Sequence, residues 1–97
     1  MELYMVIITE NLFYLNSLKE INSRMSKIKP IPKSLSMNGP YARFVTKELI
    51  KSITIYDFNE SNLLEAIEYI SECLSSCEGL PGYRYHAKIW EKQMPVF

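Results

Sequence analysis

Two short runs predict strands that are apolar on both faces. The first is Leu3-Tyr4-Met5-Val6-Ile7-Ile8 and the second is Ser52-Ile53-Thr54-Ile55-Tyr56-Asp57-Phe58. Successive side chains of a strand point to opposite faces. In the first run Leu3, Met5 and Ile7 line one face, and Tyr4, Val6 and Ile8 line the other. Such a strand calls for cover on both sides. The helices read below suffice for one side. The other side calls for a second copy of the chain or a ligand.

After the first run, Thr9 and Asn11 are both residues that cap helices well. Leu15, Leu18, Ile21, Met25 and Ile28 then recur three and four apart, predicting an amphipathic helix that Pro30 and Pro32 end. From Lys33 to Val45 the pattern weakens to Leu35, Met37, Tyr41 and Phe44, broken by Asn38-Gly39-Pro40. Proline donates no ladder hydrogen bond, so this segment is expected at a sheet edge or at a bulge. A turn at Thr46-Lys47-Glu48 leads into the strand from Leu49 to Phe58. Asn59 or Ser61 is expected to cap a second helix, whose stripe is Leu63, Ile67, Ile70, Leu74 and Cys77, widened by Ala66 and Cys73. Gly79 and Pro81 stop it. From Tyr83 to Trp90 the residues alternate, with Tyr83, Tyr85, Ala87 and Ile89 on one face and Arg84, His86 and Lys88 on the other. The apolar tail Met94-Pro95-Val96-Phe97 either frays or tucks into a partner.

The order is β-α-β-β-α-β. Right-handed crossovers leave few topologies. The favoured one is an α+β, ferredoxin-like domain spanning residues 1–97. It has a four-stranded antiparallel sheet in the order 4-1-3-2, with both helices on one face. The two most apolar strands are then central, and the strands carrying proline and charge are edges.

Composition narrows the function classes. Eleven basic and eleven acidic residues cancel, so the clustered positive charge that phosphate backbones require is missing. No apolar run approaches the roughly 20 residues of a membrane span. Glu2 and Glu10 flank the apolar start, where a secretory signal would carry basic residues. The expectation is a cytoplasmic protein with neither nucleic acid nor membrane as partner.

A βαββαβ unit of this length opening on Leu3–Ile8 resembles the dimeric α+β barrel proteins. Lys51–Phe58 followed by a helix, and Leu80-Pro81-Gly82-Tyr83 opening the last strand, strengthen the likeness. The resemblance implies a homodimer whose two open sheet faces pack into a barrel. Some relatives are cofactor-independent monooxygenases, haem-degrading enzymes, dismutating enzymes or small-ring isomerases. No residue set carries over from any of these branches, so the resemblance implies fold and dimer alone.

The candidate ligand-binding residues are His86, Tyr56, Arg84 and Tyr4. His86 is the single histidine; it either holds a ligand or moves a proton in a wet part of a cavity, or faces solvent at an edge. The strand aromatics Tyr4, Tyr56, Phe58, Tyr83, Tyr85 and Trp90 either wall a pocket for a flat apolar molecule or fill an interface. Cys73 and Cys77 lie one helical turn apart. With one histidine available, a zinc site lacks ligands, and core packing is the expectation. Asp57, Glu60 and Glu10 are read as carboxylates at strand-to-helix junctions, without a catalytic role. The same topology hosts RNA-recognition modules, but their third-strand stacking positions hold Ile53 and Ile55 here. The leading expectation is a homodimer whose barrel interior, between the two open sheet faces, binds a small, mainly apolar molecule or serves for self-association alone, with no cofactor or metal. A cofactor-independent monooxygenase-like or isomerase-like enzyme is the alternative, and an RNA-binding module a further one.

Overall fold

The computed structural model describes residues 3–92, the side chain of Lys92 excepted. The expected apolar tail at Met94–Phe97 lies outside the described residues. Strand β1 spans Tyr4–Tyr14 and leads through a 3-10 turn, Leu15–Ser17, into helix α1, Leu18–Met25. Strand β2 is Ser36–Phe44 and β3 is Leu49–Asn59. A second 3-10 turn, Glu60–Asn62, opens helix α2, Leu63–Ser75, and β4 is Arg84–Lys92. The sheet runs β2-β3-β1-β4, which is the expected 4-1-3-2 order read from the other edge. All three pairings are antiparallel.

The first strand is longer than its apolar run. It continues past Ile8 through Thr9-Glu10-Asn11, where a helix cap was expected. The reason lies in its neighbour. All eleven residues of β3 pair with β1, from Tyr4↔Asn59 to Tyr14↔Leu49. The ladder outweighs the local capping preference of Thr9 and Asn11. No side-chain cap hydrogen bond opens either helix; Asn59 and Ser61 therefore do not play the capping role expected of them.

The segment with Gly39 and Pro40 lies on the edge strand and also carries a register shift, between Asn38 and Tyr41. Gly39 adopts φ 103°, and a Cβ there would come within 2.9 Å of the Ile53 carbonyl oxygen. The kink thus requires glycine on both conformational and steric grounds.

The core lies beneath α2. Met5, Ile7, Tyr56 and Phe58 of the central strands meet Ala66, Tyr69, Ile70, Cys73 and Leu74 of the helix, with Leu35 alongside. Ala66 is fully buried, which lets the helix backbone come close to the sheet. The buried stripe includes Tyr69, whose ring meets that of Tyr56 edge-on at 6.4 Å and 74°. Ile67, expected in the stripe, is exposed instead.

Candidate functional site

The inner face of the sheet changes character along its length. Reading across β1 and β3, the paired positions are Met5↔Phe58, Ile7↔Tyr56, Thr9↔Thr54, Asn11↔Ser52 and Phe13↔Ile50. The first two rows are bulky and fill the space under α2. The next two carry short polar side chains. Phe13 and Ile50, both buried, restore bulk in the last row.

A cavity of about 400 Å³ opens above the short rows. Thr9, Asn11, Ser52 and Thr54 form its floor, Tyr56 and Tyr69 one end, and Phe13 another part of the wall. Cys73, Leu74 and Cys77 line it from α2 and the turn that follows, and Leu18, Ile21 and Met25 from α1. Met37, Pro40 and Ala42 contribute from edge strand β2. None of the eight residues of α1 is buried. Its apolar stripe, the sequence's expected core contact, leaves Leu18 37% and Met25 38% exposed. The helix is held over the cavity instead of being seated on the sheet.

The polar groups around the cavity are neutral. The Thr9 hydroxyl donates to the Thr54 carbonyl oxygen at 3.4 Å. Asn11 Nδ2 donates to the Tyr83 hydroxyl at 2.9 Å, and that hydroxyl donates to the Leu74 carbonyl oxygen at 3.0 Å. Burial pushes the phenols of Tyr69 and Tyr83 up to about 12, and raises that of Tyr56 further above the ordinary tyrosine range. Burial likewise raises the Cys73 thiol. Cys73 and Cys77 are free and buried.

The opposite, open face carries a second cluster. Glu10 Oε1 lies 2.6 Å from Lys51 Nζ, and Glu10 Oε2 lies 2.9 Å from His86 Nε2. The Lys51 contact, chiefly, holds the Glu10 carboxyl below its ordinary value, with the charges of Lys51, His86 and Lys88 adding to it. A shallow depression of about 230 Å³, lined by Glu10, Leu12, Lys51, Arg84, Tyr85 and His86, surrounds the cluster. Around it the open face is apolar: Val6, Ile8, Ile53 and Ile55 are half-buried, while Tyr4, Tyr41 and Trp90 are exposed.

The structure therefore divides the four residues singled out from the sequence. His86, Arg84 and Tyr4 share the open face, and Tyr56 points inward, as its pairing with Ile7 requires. His86 and Tyr56 cannot line one cavity of the same subunit. Glu10 is not a helix-junction carboxylate; it sits within β1, directly across from His86. It supplies the orienting partner that sequence reading did not find near that histidine. The signal was present in the alternation of Thr9, Asn11 and Phe13 with Glu10, Leu12 and Tyr14. Tyr69 and Asn11 were not anticipated as cavity residues; only the fold brings them together with Tyr83, one of the strand aromatics expected either to wall a pocket or to fill an interface. Among the described residues no group of three or more His, Cys, Asp or Glu side chains is placed to hold a metal ion. No described helix is long and apolar enough to cross a membrane.

No protein-family model matches the sequence, and neither does any curated protein. Among solved structures the chain is similar to a de novo designed protein, Foldit4, at 10% identity and a TM-score of 0.58, covering 93% of this chain and 99% of that one. It is similar to a tripeptidase from Staphylococcus aureus at 11% identity and a TM-score of 0.50, covering 93% of this chain and 29% of the peptidase. The chain thus spans less than a third of that enzyme. It is also similar to a dimeric ferredoxin-like protein from an uncultured marine organism, at 13% identity and a TM-score of 0.47, with 97% and 99% of the two chains covered. The architecture is that of a small ferredoxin-like βαββαβ fold.

Proposed function

We propose that this protein is a homodimeric binding protein that takes a small, mainly apolar molecule into the cavity between sheet and helices. The observation that carries this reading is the cavity of about 400 Å³ under a helix with no buried residue. Its volume falls in the range of small-molecule sites, and apolar walls with a few convergent polar groups are their usual composition. A ligand there would cover Leu18, Ile21 and Met25 and give α1 the apolar contact that the sheet does not provide.

The second copy is assigned to the open face. Val6, Ile8, Ile53 and Ile55 lie on the side that no described helix covers, flanked by Tyr4, Tyr41 and Trp90. Burying such side chains is worth roughly 1.5–3 kcal/mol each when removal from water is complete, and less here because several are half-covered already. His86, Arg84 and Tyr4 then belong to the dimer contact, and the ligand role passes to Tyr56 and its neighbours. Free thiols fit a reducing compartment, so the cytoplasm is the location we assign.

Thermal denaturation in the presence of tetralin, an uncharged bicyclic hydrocarbon, tests the cavity. Binding to the folded state raises the melting temperature by an amount that grows with the logarithm of ligand concentration relative to the dissociation constant. The wild-type chain is expected to gain stability. Ser52→Leu, which fills the floor of the cavity, is expected to fold and to gain none. An equal gain in both proteins contradicts the reading.

A further inference from the structure

The cavity's lining excludes one broad class of ligand and favours another. Among the described residues no aspartate, glutamate, lysine, arginine or histidine lines it. Its titratable groups are the phenols of Tyr56, Tyr69 and Tyr83 and the thiols of Cys73 and Cys77. A charged ligand would leave water without meeting an opposite charge, at a cost that apolar contacts of this size do not offset.

The floor nevertheless offers hydrogen bonds. Thr54 and Tyr56 are two apart on β3 and point to the same inner side. Both residues are more than nine-tenths buried, Tyr56 at 6% and Thr54 at 7% exposure. Among the described residues neither hydroxyl has a hydrogen-bond partner, although both residues line the cavity. The Thr9 hydroxyl, one strand away, is already engaged with the Thr54 carbonyl. Both hydroxyls reach the accessible space of the cavity, since the buried side-chain polar atom without a partner among the described residues is Asn59 Oδ1. A ligand that displaces water there has to replace the hydrogen bonds that water supplies.

We infer that the ligand is an uncharged molecule with an apolar body and a carbonyl or ether oxygen, which accepts a hydrogen bond from Tyr56 with Thr54 alongside. This inference rests on the cavity reading above and specifies its ligand class. The raised phenol of Tyr56 fits the role, because a group that keeps its proton remains a donor.

The test uses three probes of similar size at neutral pH: tetralin, its ketone 1-tetralone, and the 1-naphthoate anion. Dissociation constants are measured by calorimetry on the whole protein. The ketone is expected to bind about fivefold more tightly than the hydrocarbon, the worth of one net hydrogen bond. The anion is expected to bind at least tenfold more weakly than the ketone. In Tyr56→Phe the ketone is expected to lose its advantage while tetralin binding is retained. Should that variant fail to fold, Thr54→Val and the wild-type ketone-to-anion ratio carry the test. Tetralin and ketone binding alike, or the anion binding as well as the ketone, would overturn the ligand class and leave the cavity reading standing. Failure of all three probes to bind would overturn the cavity reading itself.

Discussion

Asn11 donates its side-chain amide to the hydroxyl of Tyr83 at 2.9 Å, joining residues 72 positions apart. The same hydroxyl donates to the Leu74 carbonyl oxygen at 3.0 Å. One oxygen thus ties β1 and the approach to β4 to the last turn of α2, beside the cavity. Burial keeps Tyr83 protonated, so the bond it gives to Leu74 persists across the ordinary pH range.

Tyr83→Phe removes that oxygen and leaves Asn11 Nδ2 and the Leu74 carbonyl without this partner. A loss of about 1–3 kcal/mol is expected, the usual cost of stranding partly buried polar groups. Urea denaturation with an unchanged slope measures it. A variant as stable as the wild type would show that the link holds nothing together.

The cluster of Glu10, Lys51 and His86 predicts an acid-sensitive increment of stability. The Glu10 carboxyl is held below its ordinary value of 4.5 in the folded chain. A depressed carboxylate contributes stability that is present above the unfolded value and is lost as pH falls through the folded value. The wild-type chain should therefore lose an increment below about pH 4.5 that Glu10→Gln lacks. Parallel stability profiles for the two proteins below that pH would remove Glu10 from the account.

The open face predicts self-association. Sedimentation at low micromolar concentration should give twice the chain mass of 11.4 kDa. Ile55→Asp places a charge in the centre of that face and should give the single-chain mass with the fold retained. A wild-type monomer at that concentration would contradict the dimer.

The order of strands was legible in the sequence because it depends on which runs are most apolar. Leu3–Ile8 and Ile53–Phe58 could satisfy their two-faced pattern only at the centre of a sheet. The extent of β1 was harder to read. Thr9 and Asn11 have side chains that suit helix caps, and only the long-range pairing with Thr54 and Ser52 draws them into the ladder. The cavity follows from the same misreading. Short polar residues at these rows create its space, and a strand ending at Ile8 has no such rows. The face assigned to each residue was legible for β4, where His86 alternates cleanly with Tyr85 and Ala87. The separation of His86 from Tyr56 required the register of three strands at once.

The two cysteines predict slow thiol chemistry. Both are buried, and burial raises the Cys73 thiol, which suppresses the reactive thiolate. Native protein at neutral pH should be alkylated by iodoacetamide far more slowly than protein in denaturant, and more slowly again with tetralin present. Equal rates in native and denatured protein would place the thiols outside the cavity wall.

The most direct test of the cavity is an amide chemical-shift map during titration with 1-tetralone. The account predicts shifts centred on Thr54, Tyr56, Tyr69 and Cys73, with Leu18, Ile21 and Met25 of α1 following. Lys51, Ile53 and Ile55, whose side chains face the other way, should move least among the β3 residues. Shifts concentrated around Glu10, His86 and Trp90, or none at saturating ketone, would contradict it.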